Sequence, residues 1–260
     1  MEPFGRFGDV HVSLGDDAVA LAEIRRPPNN FFDRPLIAAL ADAFEALDAE
    51  AGCRAIVLAS EGRHFCAGAD FSGRTGPVED DTGRHLYDEA VRLFATRTPV
   101  VAAIQGAAVG GGLGLALMPD FRVACAEARF SANFARLGFH HGFGLSVTLP
   151  RLVGPQAAAE LLYTGLRVKG DEAFDIGLCD RLVDQSDVRP EALALAHEIA
   201  LSAPLAIASI RETLRGDLAA AIRVATDREK AEQDRLQKTE DFREGTRAMA
   251  ERRTPDFRGR

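Results

Sequence analysis

The chain has 260 residues, with 31 Lys and Arg against 39 Asp and Glu, a net charge of −8. It carries no run of clustered Lys or Arg, which argues against a general binder of nucleic acid or of anionic membranes. Hydrophobic residues make up 47% and charged residues 27%; this is an ordinary globular balance, and the length buries a sizeable core in one domain or in a domain with an appendage.

From the N-terminus, Met1-Glu-Pro-Phe-Gly-Arg lacks the basic-then-apolar order of a signal peptide. Val10–Leu14 and Ala18–Ile24 read as strands joined by a hairpin at Gly15-Asp16-Asp17. Leu36, Leu40, Phe44 and Leu47 recur at a helical period within Arg34–Ala51. Ala55–Ala59 is a compact apolar strand, followed by a polar Phe71–Gly83 stretch and a helix around His85–Thr96. Val100–Ile104 and Phe121–Ala124 are further strands, so the rhythm predicts an α/β core with largely parallel strands. Val100–Pro119 is as long as a membrane span, but its Ala and Gly content and its glycine triplet make it a buried segment of a soluble protein. Beyond Pro155 the pattern turns helical, with proline-initiated helices at Pro155–Thr164, Pro190–Ser202 and Pro204–Leu214. Leu218–Arg252 follows as a densely charged helix whose charges, Glu229 among them, read as a solvated face. Cys53, Cys66, Cys125 and Cys179 show no metal or redox spacing, so reduced thiols in the cytoplasm are expected. Nor does any His/Cys/Asp/Glu spacing suggest a metal site.

Two segments suggest chemistry. Phe65-Cys66-Ala67-Gly68-Ala69-Asp70 follows a strand and a turn, and its small residues let a ligand approach the backbone. Gln105-Gly106-Ala107-Ala108-Val109-Gly110-Gly111-Gly112-Leu113-Gly114 takes a strand through three glycines into a short helix. Free N–H groups at such a turn can hold an anion or a developing oxyanion. Neither a Gly-Lys-Ser/Thr nor a GxGxxG spacing is present, so phosphate-loop and dinucleotide readings fail.

With Arg26-Pro27-Pro28-Asn29-Asn30, Ala128-Arg129-Phe130-Ser131, Leu152-Val153-Gly154, Ala173-Phe174-Asp175-Ile176-Gly177-Leu178 and Asp241-Phe242-Arg243-Glu244-Gly245, these segments resemble the crotonase (enoyl-CoA hydratase/isomerase) superfamily. The matches follow family order along almost the whole chain. The resemblance implies an α/β fold with a ββα spiral core over residues 1–200 and a C-terminal helical region over 201–260 that trimerises, in some relatives as a dimer of trimers, and covers the CoA site. It implies an acyl-CoA thioester as partner, no cofactor beyond the coenzyme A of the substrate, and an oxyanion hole made by the N–H groups of Ala69 and Gly111. It further implies CoA contacts from Arg26, Pro28, Ala67 and Phe257, and an acyl pocket lined by Asp70, Gly110, Gly114, Phe134 and His140.

The chain departs from the family where a hydratase carries two glutamates. The first position is Gly114 and the second Phe134, and neither can transfer a proton. Divergent relatives place an aspartate at or near the position of His141, which either acts on the acyl group as acid or base or caps a loop. Two functions stay open: an acyl-CoA enzyme with non-standard acid–base chemistry, including a His-dependent hydrolase or lyase, and an acyl-CoA-binding homologue without catalysis.

Overall fold

The computed structural model describes residues 1–69 and 84–260. Strands β1 (Glu2–Phe7), β2 (Val10–Leu14) and β3 (Val19–Ile24) form an antiparallel meander. Strand β3 then pairs in parallel with β4 (Ala55–Ser60), β4 with β5 (Val100–Ile104), β5 with β7 (Phe121–Ala124) and β7 with β10 (Arg181–Leu182). The result is a seven-stranded sheet in the order β1-β2-β3-β4-β5-β7-β10. All residues of β4 and β5 are buried, as expected of parallel strands covered on both faces. By contrast β2 alternates, with Val10 and Val12 inward.

A second sheet of three short strands, β6 (Ala107–Val109), β8 (Arg129–Ser131) and β9 (Arg167–Lys169), lies apart from the first. The chain moves repeatedly between the two sheets. Strand β5 leads into β6 and helix α3 (Gly111–Ala116), and β7 leads into β8 and helix α4 (Leu145–Thr164). Strand β4 leads likewise into Cys66, which bridges to Ala108 of β6, and later into helix α2 (Leu86–Phe94). Two of these units run strand–strand–helix, and the unit that begins at β4 meets the small sheet through the Cys66 bridge.

Helix α1 (Arg34–Ala49) begins where Asp33 accepts from Leu36 N at 2.9 Å, and it buries Leu36, Leu40, Phe44 and Leu47, the apolar face that its period predicts. Helix α5 (Gly170–Asp175) precedes β10, and helix α6 (Val188–Ala200) lies across β4, β5 and β7. Helix α7 (Pro204–Arg215) buries none of its residues, and Arg211 ties it to the sheet by reaching Asp120 at 2.9 Å. Helix α8 (Leu218–Leu236) packs on α2 and α4. The charged stretch expected as one helix is in fact two. Thr239 accepts from Phe242 N at 3.2 Å and starts α9 (Glu240–Ala250) with an acidic first turn. Helix α4 also reaches further back than its expected start at Pro155, because two helical segments meet at Gly154, whose φ of 78° breaks the spiral. Val100–Pro119 forms β5, β6 and α3 with no exposed residue. Among the described residues no single helix is long and apolar enough to cross a membrane.

Candidate active site

The bridge between Cys66 and Ala108 sets the register of the site. Cys66 N donates to Ala107 O at 2.9 Å, and Val109 N donates to Cys66 O at 3.0 Å. Three residues further along each segment stand Ala69 and Gly111. Ala69 is held beside Phe32, whose N–H donates to Gly68 O at 3.0 Å. Gly111 opens α3 after Gly110, whose φ of 58° turns the chain. Among the described residues neither the Ala69 N–H nor the Gly111 N–H has an acceptor. A buried backbone donor without a partner is uncommon; Gly111 is buried and Ala69 half-buried, and the two stand at matched positions on neighbouring segments.

Close packing dictates glycine at two places. A Cβ on Gly111 would sit 2.1 Å from the Phe32 ring, and one on Gly114 would sit 2.5 Å from the Phe143 Cβ. Phe143 thus occupies the space beside Gly114 into which a longer side chain would project. It is 1% exposed, holds a φ of 62° that costs a non-glycine residue about 1–2 kcal/mol, and packs edge-on to Phe32 with centroids 6.0 Å apart. The Phe134 ring lies 3.8 Å from the Cβ position of Gly110, and Phe134 packs edge-on to Phe139 with centroids 5.3 Å apart. Apolar rings therefore surround the glycine turn where the resemblance looks for carboxylates.

His141 lies in the loop that carries Phe143. Its ring stacks on His140 with centroids 4.1 Å apart, and His140 Nδ1 donates to the His141 carbonyl at 2.7 Å. His141 Nε2 is 2.8 Å from Ser146 Oγ, which donates to Glu229 Oε1 at 2.7 Å. Burial and the adjacent His140 pull the His141 imidazole down to about 4, so it is neutral at physiological pH. Glu229, read from sequence as part of a solvated face, is instead 1% exposed and accepts from Gly144 N at 2.8 Å and Ser146 N at 3.1 Å. It shares the inner face of α8 with Gln233, which donates to His140 O at 3.0 Å and accepts from the buried Tyr87 hydroxyl at 2.8 Å. Sequence reasoning missed Ser146, Glu229 and Gln233. The signal was present, since Ile222, Thr226, Glu229 and Gln233 recur at one helical face and all are buried.

The residues expected around CoA are placed less uniformly. Arg26 is bound by two carboxylates, Asp9 through Nε and Asp33 through Nη1 at 2.8 Å, so a phosphate there competes with both. Ala67 donates to Asn29 O at 2.9 Å, next to the exposed Pro28. Phe257 is 40% exposed on a tail that folds back on α9, where Arg258 N donates to Asp241 Oδ1 at 2.7 Å. Asp70 lies outside the described residues. Burial pushes the Cys66 thiol up to about 12, which leaves it unreactive beneath the turn.

A family model for enoyl-CoA hydratase/isomerase matches residues 15–260. The chain belongs to this family, the crotonase superfamily, and has its fold. It is 32% identical over 249 residues to a Bacillus subtilis protein described as a probable enoyl-CoA hydratase, covering 94% of this chain and 96% of that one. It is also 32% identical over 251 residues to crotonyl-CoA hydratase from Syntrophomonas wolfei, covering 93% and 95%. Among solved structures, an enoyl-CoA hydratase/isomerase from Pseudoalteromonas atlantica superposes with a TM-score of 0.88 at 30% identity, covering 96% of this chain and all of that one.

Proposed function

We propose that this chain is an enzyme that binds an acyl-CoA thioester oxygen between the Ala69 and Gly111 N–H groups and stabilises the enolate or tetrahedral anion formed there. The observation that carries the reading is the pair of acceptor-free N–H groups in register across the Cys66–Ala108 bridge. Fixed donors at a developing oxyanion lower a barrier by about 3 kcal/mol each. Two-glutamate hydration is not the route. Gly114 offers no proton carrier, Phe143 fills the space beside it, and Phe134 brings an apolar ring to the turn. We assign proton transfer to His141, whose neutral ring is available as a base. Isomerisation, thioester hydrolysis and C–C cleavage all pass through such an anion.

The exposed apolar residues Leu205 (86%), Leu214 (73%) and Tyr163 (80%) support assembly as a trimer or a pair of trimers. Four cysteines without a disulfide fit a reducing compartment such as the cytoplasm.

The test presents crotonyl-CoA in water and butyryl-CoA in deuterium oxide. We expect both thioesters to bind and butyryl-CoA to exchange its α-protons for deuterium. Hydration of crotonyl-CoA is expected to fall at least about a hundredfold below the exchange rate, because His141 alone replaces the two carboxylates that activate water and return its proton, and losing one such group costs that much. Tight binding of both without exchange or any other turnover makes the chain a binder, and rapid hydration of crotonyl-CoA overturns the assignment of acid–base chemistry.

A further inference from the structure

The loop after Gly138 carries a hydrogen-bond chain whose direction can be worked out from its members. Glu229 Oε1 lies 2.7 Å from Ser146 Oγ, and both Gly144 N and Ser146 N hold the carboxylate in place. A carboxylate accepts only, so the single Ser146 hydroxyl proton goes to Glu229. The Ser146 oxygen then presents a lone pair to His141 Nε2 at 2.8 Å, and that nitrogen must carry a proton. Among the described residues His141 Nδ1 has no hydrogen-bond partner. The opposite tautomer would point the hydroxyl proton at His141 and set two oxygen lone pairs against each other at 2.7 Å.

We infer that Ser146 and Glu229 are positioning residues that hold His141 as the Nε2–H tautomer and leave the Nδ1 lone pair as the proton acceptor for the acyl group. The inference rests on the reading of His141 given above and adds the groups that prepare it. In the step, Nδ1 takes the α-proton of the acyl chain and the C–H electron pair moves onto the thioester oxygen as an enolate. Return of a proton from Nδ1 to carbon closes the exchange. The ring is positively charged while it holds that proton, and Glu229 Oε1 lies 3.9 Å from Nε2 to balance it. Glu229 also anchors the start of α4, a structural duty that explains its burial but not the orientation of the Ser146 hydroxyl.

The experiment uses the full chain with isotope-labelled histidine and reads the His141 nitrogens by NMR at neutral pH. Ser146→Ala removes the link but leaves both backbone donors to Glu229, so the fold persists where Glu229→Ala could unfold the loop. Ser146→Thr keeps the hydroxyl. We expect the Nε2–H form alone in the parent and in Ser146→Thr, and a mixture of tautomers in Ser146→Ala. For α-exchange of butyryl-CoA, kcat should fall at least about tenfold in Ser146→Ala with KM within about twofold, and recover in Ser146→Thr. A mixed tautomer in the parent overturns the inference, as does a Ser146→Ala protein with the parent tautomer and kcat. His141→Ala separates the two claims. If it exchanges at the parent rate while the parent spectrum shows Nε2–H alone, the catalytic reading of His141 fails and the tautomer assignment stands.

Discussion

The environment of His141 fixes when the base proposed above is available. In water an imidazole titrates near 6.5, but here burial and His140 bring it to about 4. His140 stacks on it within the loop, Glu229 faces it from α8 at 3.9 Å, and the buried Tyr87 hydroxyl on α2 is bonded to Gln233, which in turn donates to the His140 carbonyl. Under the proposed role the neutral ring is the active form, and activity is then lost as pH falls through the folded value. The α-exchange rate should therefore stay level from about pH 7 to about pH 5 and drop only near 4, whereas a solvated histidine would lose activity near 6.5. A drop centred near 6.5 would show that the ring is not held in this environment. The same shift acts on stability. Between about 4 and 6.5 the unfolded chain binds the proton and the folded one does not, so the folded state gains stability as pH rises through that window.

At the scale of elements, α3 and the loop before α4 are fitted to each other through Gly114 and Phe143. Because a Cβ on Gly114 lies 2.5 Å from Phe143 Cβ and 2.8 Å from its Cγ, Gly114→Ala must displace a buried ring. The helix gains about 1 kcal/mol of propensity, but overpacking outweighs it, and urea unfolding should show a net loss of about 1–2 kcal/mol. A neutral or stabilising result would mean that Phe143 is free to move aside and that the position could accept a larger side chain. Most elements were legible because their apolar periods are strong: β4, β5, β7 and α1 lie where the pattern put them. Strands β6, β8 and β9 were not, since three residues carry no measurable alternation and their pairing depends on distant partners. Strand β1 was missed because it contains Pro3 and Gly5, shows only Phe4 and Phe7 as apolar residues out of a strand alternation, and lies at the sheet edge. The break before α9 was legible in principle as Thr239 followed by Glu240 and Asp241, a cap with an acidic first turn.

For the molecule as a whole, a net charge of −8 argued against polyanions, yet the family acts on a thioester of the anionic coenzyme A. In the proposed reading, local backbone donors rather than net charge decide that partner. The resemblance located the glycine turn and His141, but it could not reveal the Ser146–Glu229 chain, which joins residues 83 positions apart and exists only once α8 packs beside the loop. Nor could it show that Asp9 and Asp33 already hold Arg26. The central claim is that this assembled site receives the thioester oxygen on two peptide N–H groups. Its most direct measurement is a crystal structure of the full chain with butyryl-CoA. The thioester oxygen should lie within about 3 Å of both Ala69 N and Gly111 N, with the His141 ring facing the acyl α-carbon. An oxygen that contacts neither N–H group, with the acyl chain bound elsewhere, would contradict the claim.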